Sequence, residues 1–451
     1  MKILSIALTL IIMVLLLASC FGDMAANPGI DTSGQKKADA SGETIVLKFA
    51  AGPSHAKDDK TKKILELVER KTGYKCQTVV LPGNELDSTK KIKLSVLAGV
   101  EYDFIYSNSD TSVNYAHSKV IKPLDDLIKS TGYDVEKVFG PYIQKIDGKI
   151  YMLPELKDIH IVYYNKKIFD DAKVPYPAAD WTWQDYIDIA KQLTNKEKNI
   201  FGSYFIEWTI YFSMIARQKK IPLYKPDGYS NFDDPGWAES FKFMADLGNV
   251  HKVQPDYLTY KTQKMPYDMF FQGNIGMWPA GSWVLTYVSD LKKYPRDWKI
   301  GIAPLPQINK GEKVVPGIIG GYSVLSTTKH EREAFEAIKV IAEEAYTVYT
   351  DIPCRVDLYE GDINKIAEHI SSLLSFDGIT PDDIRNIILD SQLEIVPEND
   401  PGPASFVIAY NLIPAYGELY CTGQKGLEDT MKELKEKADA AIKEELDSDY
   451  E

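Results

Sequence analysis

The chain has 451 residues, 44% apolar and 26% charged, with a formal net charge of −13. That is enough for two or three domains with a real core, at roughly 100–200 residues each. The acidic balance argues against nucleic-acid binding, which needs clustered Lys and Arg, and against electrostatic attachment to an anionic membrane surface.

Met1 and Lys2 give a short basic start, and Ile3 to Leu17 is an almost unbroken apolar run. A run this short, followed by small residues, reads as a signal peptide over 1–20 rather than a spanning helix. Leu17-Ala18-Ser19-Cys20 puts a thiol at the cleavage point, and the stretch resembles the lipobox of bacterial lipoproteins. The expectation is a diacylglycerol thioether on Cys20, whose two acyl chains hold the protein on the extracellular face of the cell membrane. Residues 21–43 are rich in Gly, Ser, Asp, Ala and Lys without periodicity and predict a flexible tether.

Order is expected from Thr44. Ile45, Leu47 and Phe49 alternate as in a strand. Ile64, Leu65, Leu67 and Val68 share a helical face that ends near Gly73. Lys75 to Leu81 predicts a strand, Lys90 to Leu97 a helix, and Asp103 to Tyr106 a third strand. This alternation predicts a parallel sheet with crossover helices. Further on, the pattern predicts helices over Trp181–Leu193, with Thr182 as N-cap, over Ile200–Gln218, over Asp234–Leu247 and over Glu331–Glu344. Strands are predicted at Gly273–Trp278, Lys299–Ala303 and Tyr322–Leu325. Leu427, Met431, Leu434, Ala438 and Ile442 recur every three or four residues, as in an amphipathic helix.

Besides Cys20 there are three cysteines, Cys76, Cys354 and Cys421, so at most one disulfide can form, and three isolated thiols are the simpler reading. No cysteine or histidine spacing suggests zinc or another metal. Twenty-eight Tyr and 7 Trp are compatible with stacking on the apolar faces of pyranose rings, and equally with an ordinary core.

Three motifs in order carry a resemblance. Tyr151-Met152-Leu153-Pro154, Tyr163-Tyr164-Asn165-Lys166, Phe169 and Trp181-Thr182-Trp183-Gln184-Asp185 form the first. Phe270-Phe271-Gln272-Gly273 through Met277 to Gly281-Ser282-Trp283 is the second, with Gly276 where Ala is usual. Pro304-Leu305-Pro306 followed by Gly320-Gly321-Tyr322-Ser323 is the third. With the C-terminal helix, the pattern from Thr44 to Leu446 is similar to family 1 extracellular solute-binding proteins, the substrate-capturing lipoproteins of ABC importers. The resemblance implies an α/β periplasmic-binding-protein-like fold with two interlaced lobes and a ligand cleft between them. The first lobe would be residues 44–157 and 322–389, and the second 158–321 and 390–451, with the last crossing pinned by no motif. Function would be capture of a sugar or oligosaccharide for ABC permease subunits, by a monomer without a cofactor.

The same resemblance directs attention to particular residues. Trp283 is expected to stack on a sugar, with Trp278 nearby as a weaker candidate. Asp110, after the third strand, would accept hydroxyl hydrogen bonds or else be the N-cap of the helix that follows. His55, in the loop Gly52-Pro53-Ser54-His55, would face the cleft. Glu207 and Trp208 would contribute from the second lobe, and Phe406 from behind the Pro401-Gly402-Pro403 turn. Tyr322 follows Gly320 and Gly321, which suit a hinge or a close backbone approach. The competing reading is a surface glycoside hydrolase, which needs a positioned carboxylate pair. No H-E-x-x-H or G-x-S-x-G signature occurs, and no P-loop.

Overall fold

The computed structural model describes residues 44–81, 85–361 and 363–448. The leader, Cys20 and the tether lie outside the described residues. The strands are β1 (Val46–Ala51), β2 (Lys75–Val80), β3 (Phe104–Asn108), β4 (Lys145–Ile146), β5 (Lys149–Ile150), β6 (Leu153–Asn165), β7 (Phe201–Ser203), β8 (Ile275–Gly281), β9 (Ile300–Pro304), β10 (Val314–Val324), β11 (Ile352–Pro353) and β12 (Glu394–Pro397).

The first three strands form as the alternation predicts. β1 runs parallel to β2 and β3, because each crossing is made by a helix, Asp59–Thr72 and then Glu85–Leu97. The Asp59–Thr72 helix starts where Asp58 accepts the Lys60 amide and stops at Gly73, whose φ of 79° is a left-handed cap. Its buried face, Ile64, Leu65 and Val68, packs with Leu47, Phe49, Phe104, Phe335 and Ile338. Ala50 points to the other side, among Ile92, Ile105, Ile121 and Leu325. The period of two thus sorts one strand's side chains between two apolar layers.

After β3 the order becomes β10, β6, β8, β7. β10 lies antiparallel to both β3 and β6. β6 changes neighbours along its length. Leu153 to Ile159 pair with β10, whereas His160 to Asn165 pair with β8 and β9. β10 does the same, using Val314–Gly317 for β12 and Gly320–Val324 for β3. Two strands therefore cross between the halves of the sheet. The second half carries its own larger core, including Tyr163, Phe169, Tyr186, Phe212, Trp237, Trp278 and Leu434. Large aromatics dominate it, and each contributes on the order of 1.5–3 kcal/mol when fully buried.

Most predicted helices are found, and Thr182 closes a capping box with Asp185. The 200–218 stretch differs from expectation: β7 precedes a helix that begins only at Thr209. A Cβ on Gly202 would lie 1.9 Å from the Ala190 carbonyl oxygen, so only glycine lets that strand press on the Trp183–Leu193 helix. β10 is also much longer than the predicted Tyr322–Leu325. Within 322–389, Tyr322, Phe335, Ile338, Ile341, Tyr349 and Cys354 pack with the first core, but Ile352, Ile366, Ile370, Ile384, Ile388 and Leu389 join the larger one. The reason is polar. Asp377 pairs with Arg296 and accepts the Ile300 amide at 2.7 Å, which ties this segment to β9.

Candidate functional site

A cleft of about 870 Å³ opens where β6 and β10 cross. Its lining comes from the segment after β1, the end of β3, the crossing strands, Tyr267, the turn and helix that follow β8, and Asp351 and Ile352 at β11.

Trp283 is on the lining, in the turn that ends β8. Ser282 Oγ donates to Asp158 Oδ1 at 2.6 Å and the Trp283 amide donates to the same oxygen at 3.1 Å. A Cβ on Gly281 would meet the indole at 2.5 Å, so a glycine here makes room for the ring. Tyr287 meets this indole edge-on at 5.2 Å, and Tyr267 lies 6.4 Å away; both also line the cleft. Trp208 packs 5.8 Å from Trp283 and supports the wall from outside the lining. Half-buried aromatic rings of this kind offer flat, weakly hydrated faces.

The opposite side is more polar. His55 lines the cleft with its ring 4.7 Å from Tyr106. Tyr322 lines it too, edge-on to Tyr106 at 5.6 Å, although almost all of its surface is covered. A Cβ on Gly320 would lie 2.3 Å from Tyr106 Oη, so the glycine pair in β10 serves a close approach. A second cavity of about 420 Å³ shares His55, Tyr106 and Asn108 with the cleft and is closed by Phe406 and Tyr410, whose rings are 4.7 Å apart.

Besides Trp208 and Phe406, three more expected contacts are not on the cleft lining. Trp278 is fully buried, and its indole N–H donates to Tyr211 Oη at 3.1 Å, so it is a core residue. Glu207 pairs with Lys261 at 2.6 Å, half-exposed. Asp110 is buried behind the cleft, where Asn399 Nδ2 donates to it at 2.9 Å. The helix cap is Asn108, which accepts the amides of Asp110 and Thr111. Burial pushes Asp110 up to about 7; the Asn399 hydrogen bond opposes this and the Glu398 charge adds to it.

The residues missed by the sequence reading are mainly charged groups inside β6 and their partners. Glu155, Lys157 and Asp158 line the cleft, as do Lys60 and Asp351, which form an ion pair. Burial pushes Asp158 up to about 6, against the Ser282 hydrogen bond. Burial also draws Lys157 down to about 8; its ammonium lies 4.6 Å from the Tyr359 ring centre. The available signal was a run of charges, Glu155 to His160, inside a segment otherwise apolar enough to be a buried strand.

Two α/β halves joined by crossing strands, with a polar and aromatic cleft at the crossing, make this a periplasmic binding protein by fold. An ABC substrate-binding protein of Listeria monocytogenes, solved in complex with cycloalternan, superposes with a TM-score of 0.72 over 88% of this chain and 99% of that one, at 20% identity. The model of the bacterial extracellular solute-binding protein family matches residues 52–348, well over half of the chain. The chain belongs to this family. Among curated relatives, the arabinooligosaccharide-binding protein of Halalkalibacterium halodurans is 26% identical over 275 residues, which cover 58% of each chain. The sn-glycerol-3-phosphate-binding periplasmic protein of Escherichia coli is 24% identical over 233 residues, 49% of this chain and 52% of that one. The matched part thus spans little more than half the length of these two relatives.

Proposed function

We propose that the protein captures a saccharide, an oligosaccharide in preference to a single unit, and hands it to the membrane subunits of an ABC importer. The observation that carries this reading is the aromatic wall of Trp283, Tyr267 and Tyr287 on a cleft that also presents His55, Tyr106 and several carboxylates. Sugars need both halves of that arrangement, an apolar face for the ring and acceptors for the hydroxyls. The adjoining cavity at Phe406 supports a ligand longer than one ring. The arabinooligosaccharide-binding relative supports the ligand class. A phosphate ester, which the Escherichia coli relative's name specifies, fits less well: no arginine is among the described lining residues, and six carboxylates face three lysines.

In this reading the protein is a binder rather than an enzyme. Its lobes are residues 44–157 with 322 to about 354, and 158–321 with about 363–448, the division following the two cores. Cys20 carries the lipid that keeps the protein at the extracellular face of the cell membrane, and energy for transport comes from partner ATPases. Incubation with a defined oligosaccharide panel tests it. Binding with the glycan recovered intact supports capture; cleaved product would favour a glycoside hydrolase.

A further inference from the structure

The pairing of β6 with β10 skips a residue. Gly320 faces Leu156 and Gly321 faces Pro154, so Glu155 is the extra residue of a β-bulge. Bulges re-aim side chains and gather next to binding sites. Glu155 lines the cleft but is only 3% exposed, and neither carboxylate oxygen has a hydrogen-bond partner among the described residues. Leaving a buried acceptor pair unsatisfied is costly, and a buried charge without a partner more so.

The charges around it do not balance. Two carboxylates, Glu155 and Asp351, face one ammonium, that of Lys60, and Asp351 already holds it in an ion pair. Lys157 is turned to Tyr142 and Tyr359, and Lys293 lies over the rings of Tyr287 and Tyr294. The cluster thus carries one carboxylate more than it has ammonium groups to match. In keeping with this, burial raises Glu155 to about 8; Lys60 opposes the rise and Asp351 adds to it.

Building on the saccharide reading, we infer that the Glu155 bulge seats a basic amino group, so that the preferred ligand is an amino sugar or an oligosaccharide containing one. The ligand's ammonium supplies the missing charge and donates to both free oxygens. Glu155 must then be ionised, so binding of the protonated amine releases the carboxyl proton to solvent. The groups facing this carboxylate are Lys60 from the Asp59–Thr72 helix, Asp351 and Cys354 flanking β11, Tyr106 of β3 and Tyr322 of β10. Of these, only Lys60 is a cation. A uronic acid or phosphate would meet an uncompensated carboxylate there.

The test compares matched probes by calorimetry at pH 7 in two buffers of different ionisation enthalpy. The probes are glucosamine, galactosamine and mannosamine against their parent hexoses, and a β-1,4-linked glucosamine trisaccharide against cellotriose. Wild type, Glu155→Gln and Glu155→Ala are measured, with thermal melts to confirm folding. The expected result is a preference for the amino member on the order of tenfold, as for a charge-assisted hydrogen bond, accompanied by proton release. Both the preference and the proton release should vanish in the two variants. Equal affinity of wild type for amino and neutral members, or a preference surviving in Glu155→Gln, would overturn the inference while leaving saccharide capture standing. Failure of every saccharide, in this set and in the wider panel, would overturn both.

Discussion

Asp158 accepts the backbone amide of Trp283 at 3.1 Å. A carboxylate in the crossing strand thereby positions the aromatic wall of the cleft, the surface proposed to stack on sugar. Ser282 shares the same oxygen at 2.6 Å, so the turn is held by two hydrogen bonds to one acceptor.

Two tryptophans five residues apart should respond in opposite ways. Trp283 is half-buried on the cleft, and Trp283→Ala should weaken saccharide binding by about 1–3 kcal/mol, as for aromatic platforms in general, with a cooperative melt retained. Trp278 is fully buried, and Trp278→Ala should cost about 3–5 kcal/mol of stability. Denaturant unfolding and calorimetry on both variants separate the two roles. Unchanged affinity in Trp283→Ala would remove the indole from the site.

Gly320→Ala should disturb the cleft from beneath. The new methyl would lie 2.3 Å from Tyr106 Oη, so the ring must move or the strand must shift. Overpacking of this kind costs about 1–3 kcal/mol. Because Tyr106 faces His55, affinity should fall together with stability. A variant as stable and as tight as wild type would mean that Tyr106 rearranges freely.

Asp110 gives a prediction in pH. Its carboxyl is raised from the ordinary 3.8 to about 7, chiefly by burial. Between those values the folded chain keeps a proton that the unfolded chain has lost, so this group's contribution to stability declines as pH rises through the window. Asp110→Asn retains an acceptor for Asn399 and cannot titrate. Its stability relative to wild type should therefore rise between pH 4 and pH 7, by a few kcal/mol at most. Urea melts across that range check the slope, and a constant difference would show that Asp110 does not change its protonation on folding.

Much of the fold was legible because its local signals agree with its tertiary packing. The β1–β3 unit, the capping box at Thr182 and the C-terminal helix follow from alternation, capping and helical periodicity. Trp283 and Tyr322 were reachable through the family motifs, and His55 through its place in the loop after the first strand. The lobe boundary at 157/158 falls inside β6, but the strand's extent and pairing were not legible, because its partners lie more than a hundred residues away and change along its length. Glu155 was illegible for a sharper reason: a bulge depends on the register of two strands, and no feature of one strand alone announces it. Asp110 and Trp278 misled because a motif position records scaffold as well as ligand contact. Asp110 braces Asn399, and Trp278 fills the larger core.

Lipidation is tested at its own residue. Cys20→Ala should abolish incorporation of labelled fatty acid and release the protein from the membrane fraction, since the thioether is the proposed anchor. Equal label on the variant would place the anchor elsewhere.

The central claim is that a saccharide is captured between two lobes that close on it. Only a ligand touching both faces shifts the equilibrium toward closure, because the shift requires differential affinity for the closed state. Trp283 and Tyr287 offer contacts from one face, and His55 and Tyr106 from the other. Small-angle scattering of the whole protein with and without a saturating, calorimetrically verified saccharide tests this most directly. The account predicts a smaller radius of gyration with ligand, lost in Trp283→Ala at the same concentration. Tight binding with an unchanged scattering curve would contradict it.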